Sequence, residues 1–457
     1  MSNMDYVIRI TDNTSGTVTL TTSPFDVRDY HPMTADRTEE TVSETITVRL
    51  RDTTSPDNLD EIRALNRLLH QAELAQENRA FDRVYLEFSP DGTVNYWRSE
   101  IVRARGEFAD TTFKYAYWLN NTQFADVFLE RMNFWEGPEA QLSLTNPNGT
   151  ANTTGLKVYN TNDGTGSGGS ARYNYVQVAG TAVLGDLPAA TRLEMIYDDR
   201  AGGTATLDYI WIGKKQSDLT NFDPILEAED SNKTGVADAT QSGGQYASGT
   251  AVTNVIANLM IWTFGTALID AYAGRYYKAF IKFRGAEGAE ASDSYFEFRW
   301  VDDDVSTIWT SSRYKPAIGD TYNFVDMQTI PVPPWLQGLG NQGTAYMTVA
   351  AAPSTYGTAV YDLDYVILLP TDGYRAIDLN ANDVGNRVID DGIDDRTYTD
   401  NASGANRVGV LATLGSPIML EPSTNQNLYF IAKTNTSFSI NAGLIVKLYY
   451  RPRRLTI

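Results

Sequence analysis

Alternation with a period of two governs this chain. In the segment 41–50 (TVSETITVRL), Val42, Ile46, Val48 and Leu50 share one parity, while Thr41, Thr45 and Thr47 share the other. Successive side chains of a strand point to opposite faces, so such a segment buries one face and leaves the other to solvent. Tyr6 to Ile10 and Val18 to Leu20 repeat the pattern. Val84 to Phe88 and Val94 to Arg98 flank Pro90-Asp91-Gly92, a hairpin signal in which glycine accepts the positive φ of the turn. A chain written this way is committed to a mainly β fold of antiparallel sheets.

One segment breaks the rule. Ser55-Pro56-Asp57 combines a capping residue with a proline tolerated in a first turn. Leu59, Ile62, Leu65, Leu69 and Ala72 then recur at threes and fours, which predicts a helix that ends at Asn78-Arg79 and lays one stripe on a sheet. His70 sits beside that stripe and reads as structural. With further strands at 101–108, 113–119 and 124–132, residues 1–138 read as an α+β domain with one helix.

Beyond it the texture changes to Asn, Thr and Gly. Residues 139–222 read as a β-sandwich segment, with the glycine-dense tract 164–169 as a loop. Residues 223–370 have the length of a jelly roll of about eight to ten strands. Residues 371–457 open acidic and end basic, with two paired strands expected at 427–431 and 444–450.

Composition then removes function classes. Asp and Glu total 57 against 37 Lys and Arg, a formal net charge of −20, so a nucleic-acid backbone would be repelled and no nucleic-acid partner is expected. With no cysteine and only His31 and His70, thiol chemistry, cysteine-ligated metals and a histidine triad fall away. No apolar run approaches the ~20 residues of a membrane span, so no membrane insertion is expected. The N-terminal residues show no basic start followed by an apolar stretch, and no export leader is read there. No phosphate loop, nucleophile elbow or HExxH is found, and the chain reads as non-enzymatic.

Some residues invite a functional reading. Asp390-Asp391-Gly392-Ile393-Asp394-Asp395 offers oxygens around a glycine, but reads as a solvated acidic turn. Trp262, Trp300, Trp309 and Trp335 fall within 223–370. An indole face can stack on the C–H face of a sugar while neighbouring Asp, Asn and Gln bond its hydroxyls. Trp300 alternates with Phe296 and Phe298 and belongs to a core, which leaves Trp335, Trp309 and Trp262 as carbohydrate-binding candidates. The closing Arg451, Arg453 and Arg454 read as a contact to an acidic neighbouring subunit.

Two resemblances follow from longer stretches. The run VFLERMNFWEGPE (127–139), with Asn174 to Val178, Gly185 to Glu194 and Leu448 to Leu455, resembles tail proteins of long-tailed bacteriophages. It is most similar to the distal tail family, whose members couple a ring-forming β-domain to a galectin-like sandwich. Separately, Glu227-Ala228-Glu229, Ser242-Gly243-Gly244-Gln245-Tyr246 and Leu363-Asp364-Tyr365 resemble the frame of jelly-roll carbohydrate-binding modules of families 6 and 35. That likeness implies Glu227, Glu229 and Asp364 as ligands of a structural Ca2+.

Together these resemblances imply a structural virion protein, assembled in the host cytoplasm into a homo-oligomeric ring at the distal end of a phage tail. A hexamer is expected, with other tail proteins as partners. Residues 1–138 would form the ring, 139–222 would be galectin-like, and 223–370 would meet host-surface polysaccharide. The rival readings are a capsid decoration or neck protein with no glycan role, and an extracellular polysaccharide-binding protein or glycosidase.

Overall fold

The structure, a computed structural model, describes residues 6–27, 30–34, 39–51, 56–78, 81–92, 95–106, 122–147, 151–152, 154–163, 171–197, 207–216, 223–265, 271–284, 294–301, 307–314, 324–332, 344–353, 357–382, 387–400, 407–410, 412–434 and 443–457. The expected strand at 113–119, the tract 164–169 and Trp335 lie outside them. The fold is mostly β with one long helix, in two compact units. The first comprises Met1–Ala140, Leu184–Ala189 and Arg451–Ile457, and the second Gln141–Val183 and Ala190–Tyr450.

In the first unit the described strands form one antiparallel sheet. Its order runs Thr17–Thr19, Val7–Thr11, Tyr85–Ser89, Trp97–Gly106, Thr122–Met132, Thr41–Arg51, Phe25–Asp26. The chain's last strand, Arg453–Arg454, pairs with Trp135–Glu136 beside it. The helix Pro56–Glu77 sets Ile62, Leu65, Leu68, Leu69 and Ala72 into a core with Ile10, Val18, Leu86, Ile101 and Val127. The apolar parity of Thr41–Arg51 is buried as the alternation predicts, with one exception of chemistry. Glu44 lies among those residues and is 4% exposed. Its carboxylate is held by the wholly buried Arg131 (Nε–Oε1 2.8 Å) and by the Tyr30 hydroxyl (2.6 Å). The pair is tolerated because both remaining guanidinium nitrogens are also bonded, to Met33 O and Met132 O.

The second unit contains four sheets among the described residues. In the first, Gln426–Thr434 lies between Tyr175–Val178 and Leu207–Gln216, followed by Gly373–Asn382 and Ala412–Gly415. In the second, Gly443–Tyr450 lies between Leu156–Tyr159 and Ala189–Tyr197, followed by Arg387–Asp391 and Arg396–Asp400. The strands of 371–457 thus complete sheets begun in 139–222, and the two segments form one sandwich. Arg375 on one sheet bonds Asp390 on the other, with Nε–Oδ1 at 3.0 Å. Asp390 is 1% exposed, so the acidic turn read as solvated is corrected at this residue: its carboxylate is an internal partner of Arg375 and Thr397.

The remaining two sheets form the jelly roll. One orders Gly235–Ala237, Gln245–Val252, Thr358–Pro370, Arg275–Phe283 and Phe324–Val332, with Ile225–Glu227 also on Thr358–Pro370. The other orders Ala257–Gly265, Thr344–Pro353, Ser294–Val301 and Thr307–Thr310. Trp262, Trp300, Phe283, Phe298, Tyr361 and Leu363 lie in the core between them. The run Tyr365 to Leu369 is buried on both faces. Val366 and Leu368 enter that core, while Tyr365, Ile367 and Leu369 join Phe280, Phe324, Trp211 and Ile431 in a second seam against the sandwich. A continuous apolar run is what a strand covered on both sides requires.

Candidate functional site

At one end of the jelly roll the chain brings three carboxylates together. Glu227 ends a short strand, Glu229 lies in the 3₁₀ turn Ala228–Asp230, and Asp364 sits in Thr358–Pro370, the strand that pairs with Ile225–Glu227. All three converge on the turn Ser242–Gly244. The Ser242 backbone N–H donates to Asp364 Oδ1 at 2.9 Å, and its hydroxyl donates to Glu227 Oε1 at 2.5 Å. Gly243 has φ +59, and a Cβ there would stand 2.2 Å from Glu229 Oε1, so both backbone shape and space require glycine.

The electrostatics of this cluster are unbalanced. Glu227 Oε2, Glu229 Oε2, Asp364 Oδ2 and Gln241 Oε1 are shielded from solvent and accept no hydrogen bond among the described residues. Lys282 Nζ stands 3.9 Å from Asp364 Oδ2, too far for one. Burial pushes the Asp364 carboxyl up to about 8, against the pull of Lys282 and the Ser242 amide. Burial likewise raises Glu227 well above the usual carboxylate range, with the charges of Asp364 and Glu229 adding to it, and Glu229 is raised by burial first. Among the described residues no three such side chains stand at ready metal-binding geometry. In chemistry, however, orphaned buried carboxylate and amide oxygens with no nitrogen or sulfur donor fit a hard cation such as Ca2+. The frame Glu227, Glu229 and Asp364 was legible in the sequence. Gln241 and Lys282 were not, although Gln241 directly precedes the Ser-Gly-Gly turn.

The aromatic candidates separate. Trp262 is 3% exposed, in the core with Met260 and Phe264, and its Nε1–H donates to the Glu227 carbonyl at 2.7 Å. A ring so enclosed offers no face to a sugar, which corrects its reading as a platform. Trp309 is half-buried on the edge strand Thr307–Thr310, opposite the buried Trp300. The basic terminus is also engaged. Both Arg453 Nε and Nη2 donate to Glu136 Oε1, at 3.0 and 2.8 Å, and Arg451 Nη1 donates to the Gly137 carbonyl. These two arginines fasten the chain's own last strand, which corrects their reading as contacts to a neighbour. Arg454 is exposed, with its guanidinium over Trp97.

No family model and no curated protein matches the chain. Among solved structures it is similar to the Dit protein of phage SPP1, described as a hub adsorption apparatus in phages infecting Gram-positive hosts. That match has 10% identity, 98% of each chain covered and a TM-score of 0.28. It is also similar to the baseplate of phage P2 in its activated conformation with Ca, at 8% identity, 99% of each chain covered and a TM-score of 0.30. The VP2 subviral particle of infectious bursal disease virus matches at 10% identity over 70% of this chain and 81% of that one, with a TM-score of 0.18. Superpositions at this level carry no weight for fold or function.

Proposed function

We propose that this chain is a structural subunit at the distal end of a bacteriophage tail. In this reading the first unit associates with further copies into a ring, six being expected, and with other tail proteins in the virion. The second unit offers the jelly roll to host-surface glycans, and Ca2+ held by Glu227, Glu229 and Asp364 neutralises their charge and braces the Ser242 turn.

The nested path of the chain carries this reading. The jelly roll is inserted between strands of a sandwich, and the sandwich is inserted between segments of the first unit, the arrangement expected of a base that carries successive display modules. The face of the base is suited to company. Phe124 and Phe128 are 66% and 39% exposed on Thr122–Met132. The adjoining Thr41–Arg51 is covered, among the described residues, only at Arg49 and Leu50 by Phe25–Asp26 on its other side. A long edge with exposed aromatics beside it is a surface that another subunit covers.

Imaging of purified protein and of particles labelled through it tests the proposal. Symmetric rings and label at the tail tip are expected. Label on the capsid or neck favours a decoration protein, and solitary subunits that degrade a polysaccharide reject a structural role altogether.

A further inference from the structure

We propose that the second unit holds a binding cleft for a neutral saccharide, built from Tyr209, Trp211 and Asp378 on the sandwich and from Asp326 and Gln328 on the jelly roll. The cleft encloses about 560 Å³, within the range of small-ligand sites. It is the open end of the seam in which Trp211 and Ile431 meet Phe280 and Phe324. It uses none of the carboxylates at the Ser242 turn, and it stands whether or not the chain belongs to a tail.

Strand register assembles one wall. Lys433, Tyr209, Asp378 and Ala412 lie opposite one another on four adjacent strands, and Trp211, Ala376 and Leu414 form the next row. Alanines at 376 and 412 leave open the space that larger side chains would close. The Tyr209 ring stacks on Trp211, with centroids 5.4 Å apart and planes 14° apart, so the indole backs a half-exposed phenol ring. Trp211 in turn meets Phe324 at 5.9 Å across the seam. A rigidly backed aromatic plane is what the apolar face of a pyranose stacks upon.

The polar groups define the ligand further. Lys278 pairs with Asp326 at 2.5 Å, and Lys433 stands 5.7 Å from the Tyr209 ring on the same row as Asp378. Two cations and two carboxylates leave the lining without net charge, which favours neither an anion nor a cation. Such a lining presents acceptors and donors in equal measure, as vicinal hydroxyls require.

Backbone irregularities gather at the same place. The strand Leu207–Gln216 shifts register between Leu207 and Tyr209 against both neighbours, with Asp208 the extra residue against Gln426–Thr434 and the extra residues on Gly373–Asn382 along its other side. Arg275–Phe283 shifts between Lys278 and Phe280 opposite Gln328, which has φ +64 without being glycine. Bulges re-aim side chains and are common beside binding sites. Burial and the neighbouring Asp378 raise the Asp208 carboxyl, opposed by Lys433.

The test is a titration of the full chain with maltose, lactose and chitobiose, alongside an array of neutral microbial polysaccharides. Tryptophan emission and calorimetry give the readout. Saturable binding of at least one neutral saccharide is expected, weakened about tenfold or more by Tyr209→Ala and by Asp378→Asn, and unchanged by Trp309→Ala. Ala412→Trp fills the opening from an exposed position, so it should abolish binding at an unchanged melting temperature. Failure of every saccharide to bind overturns the proposal. So does binding that survives Ala412→Trp in folded protein, or binding lost only with Trp309→Ala. Because these measurements use isolated protein, their failure is distinct from a failure to find the chain at a tail tip.

Discussion

The amide of Ser242 bonds the carboxylate of Asp364 across 122 residues of sequence, at 2.9 Å. That contact ties the turn after the first jelly-roll strands to the last strand of the same module. It also positions Asp364 so that, among the described residues, its second oxygen faces no donor within hydrogen-bond reach.

A cation at these oxygens would remove the imbalance. Saturating Ca2+ is therefore expected to raise the melting temperature, by the equivalent of about 3 kcal/mol at a hundredfold excess over the dissociation constant. In the double variant Glu227→Gln, Glu229→Gln, calcium and chelator should give the same melting temperature. If wild-type protein melts identically with and without chelator, the ligand assignment is wrong.

Asp223 provides a pH signature away from the carboxylate cluster itself. Its carboxyl is raised from 3.8 to about 6, first by burial and then by the charge of Asp230, against hydrogen bonds from Ile225 N–H and Asn162. The folded state therefore binds this proton more tightly than the unfolded state. Its contribution is fully present below about pH 4 and is lost as pH rises through about 6, a change of about 3 kcal/mol at most. Urea unfolding of wild type and Asp223→Asn, both in chelator, should show the variant gaining on wild type between pH 4 and 7. A constant difference across that range refutes the assignment.

Two neighbouring glycines separate backbone strain from crowding. Both have positive φ, but a Cβ on Gly243 meets Glu229 Oε1 whereas one on Gly244 meets nothing within 4 Å. Gly244→Ala should cost about 1 kcal/mol, and Gly243→Ala about 1–3 kcal/mol more. Equal losses in urea denaturation would show that Glu229 moves aside freely.

The buried pair of the first unit is expected to be costly to halve. Glu44→Ala or Arg131→Ala leaves an uncompensated charge in the sheet core, a loss of about 3–5 kcal/mol. Replacing both by apolar residues of similar volume should recover most of it. Chemical denaturation of the three variants decides the matter, and single variants as stable as wild type would contradict the geometry.

Phe124→Asp and Phe128→Asp place charge on the exposed aromatic face while sparing the core. If the proposed rings form through this face, each variant should shift the purified protein to single subunits by light scattering, with circular dichroism unchanged. Intact rings from both variants would place the subunit contact elsewhere.

The helix could be read in advance because Ile62, Leu65, Leu69 and Ala72 repeat along one face, and local period needs no distant partner. The Thr41–Leu50 strand was legible for the same reason. Glu44 was not, because the guanidinium that admits it to a core is 87 residues away. Trp262 carried an available sign in its shared parity with Met260 and Phe264, the same argument that placed Trp300. The carboxylate frame survived in sequence as short motifs. The saccharide cleft left no motif, since Tyr209 and Asp326 come to line one cleft only after two separate sandwiches pack.

Ile225 lies directly opposite Ile367, so the jelly roll's first and last strands run antiparallel, side by side, where they join the sandwich. A module attached through such a two-stranded stem can be exchanged wholesale. A replacement need only supply a matching pair of ends and an outer face that fits Trp211 and Tyr429. Exchange at this stem would replace the outer module while the sandwich that carries it stayed as it was.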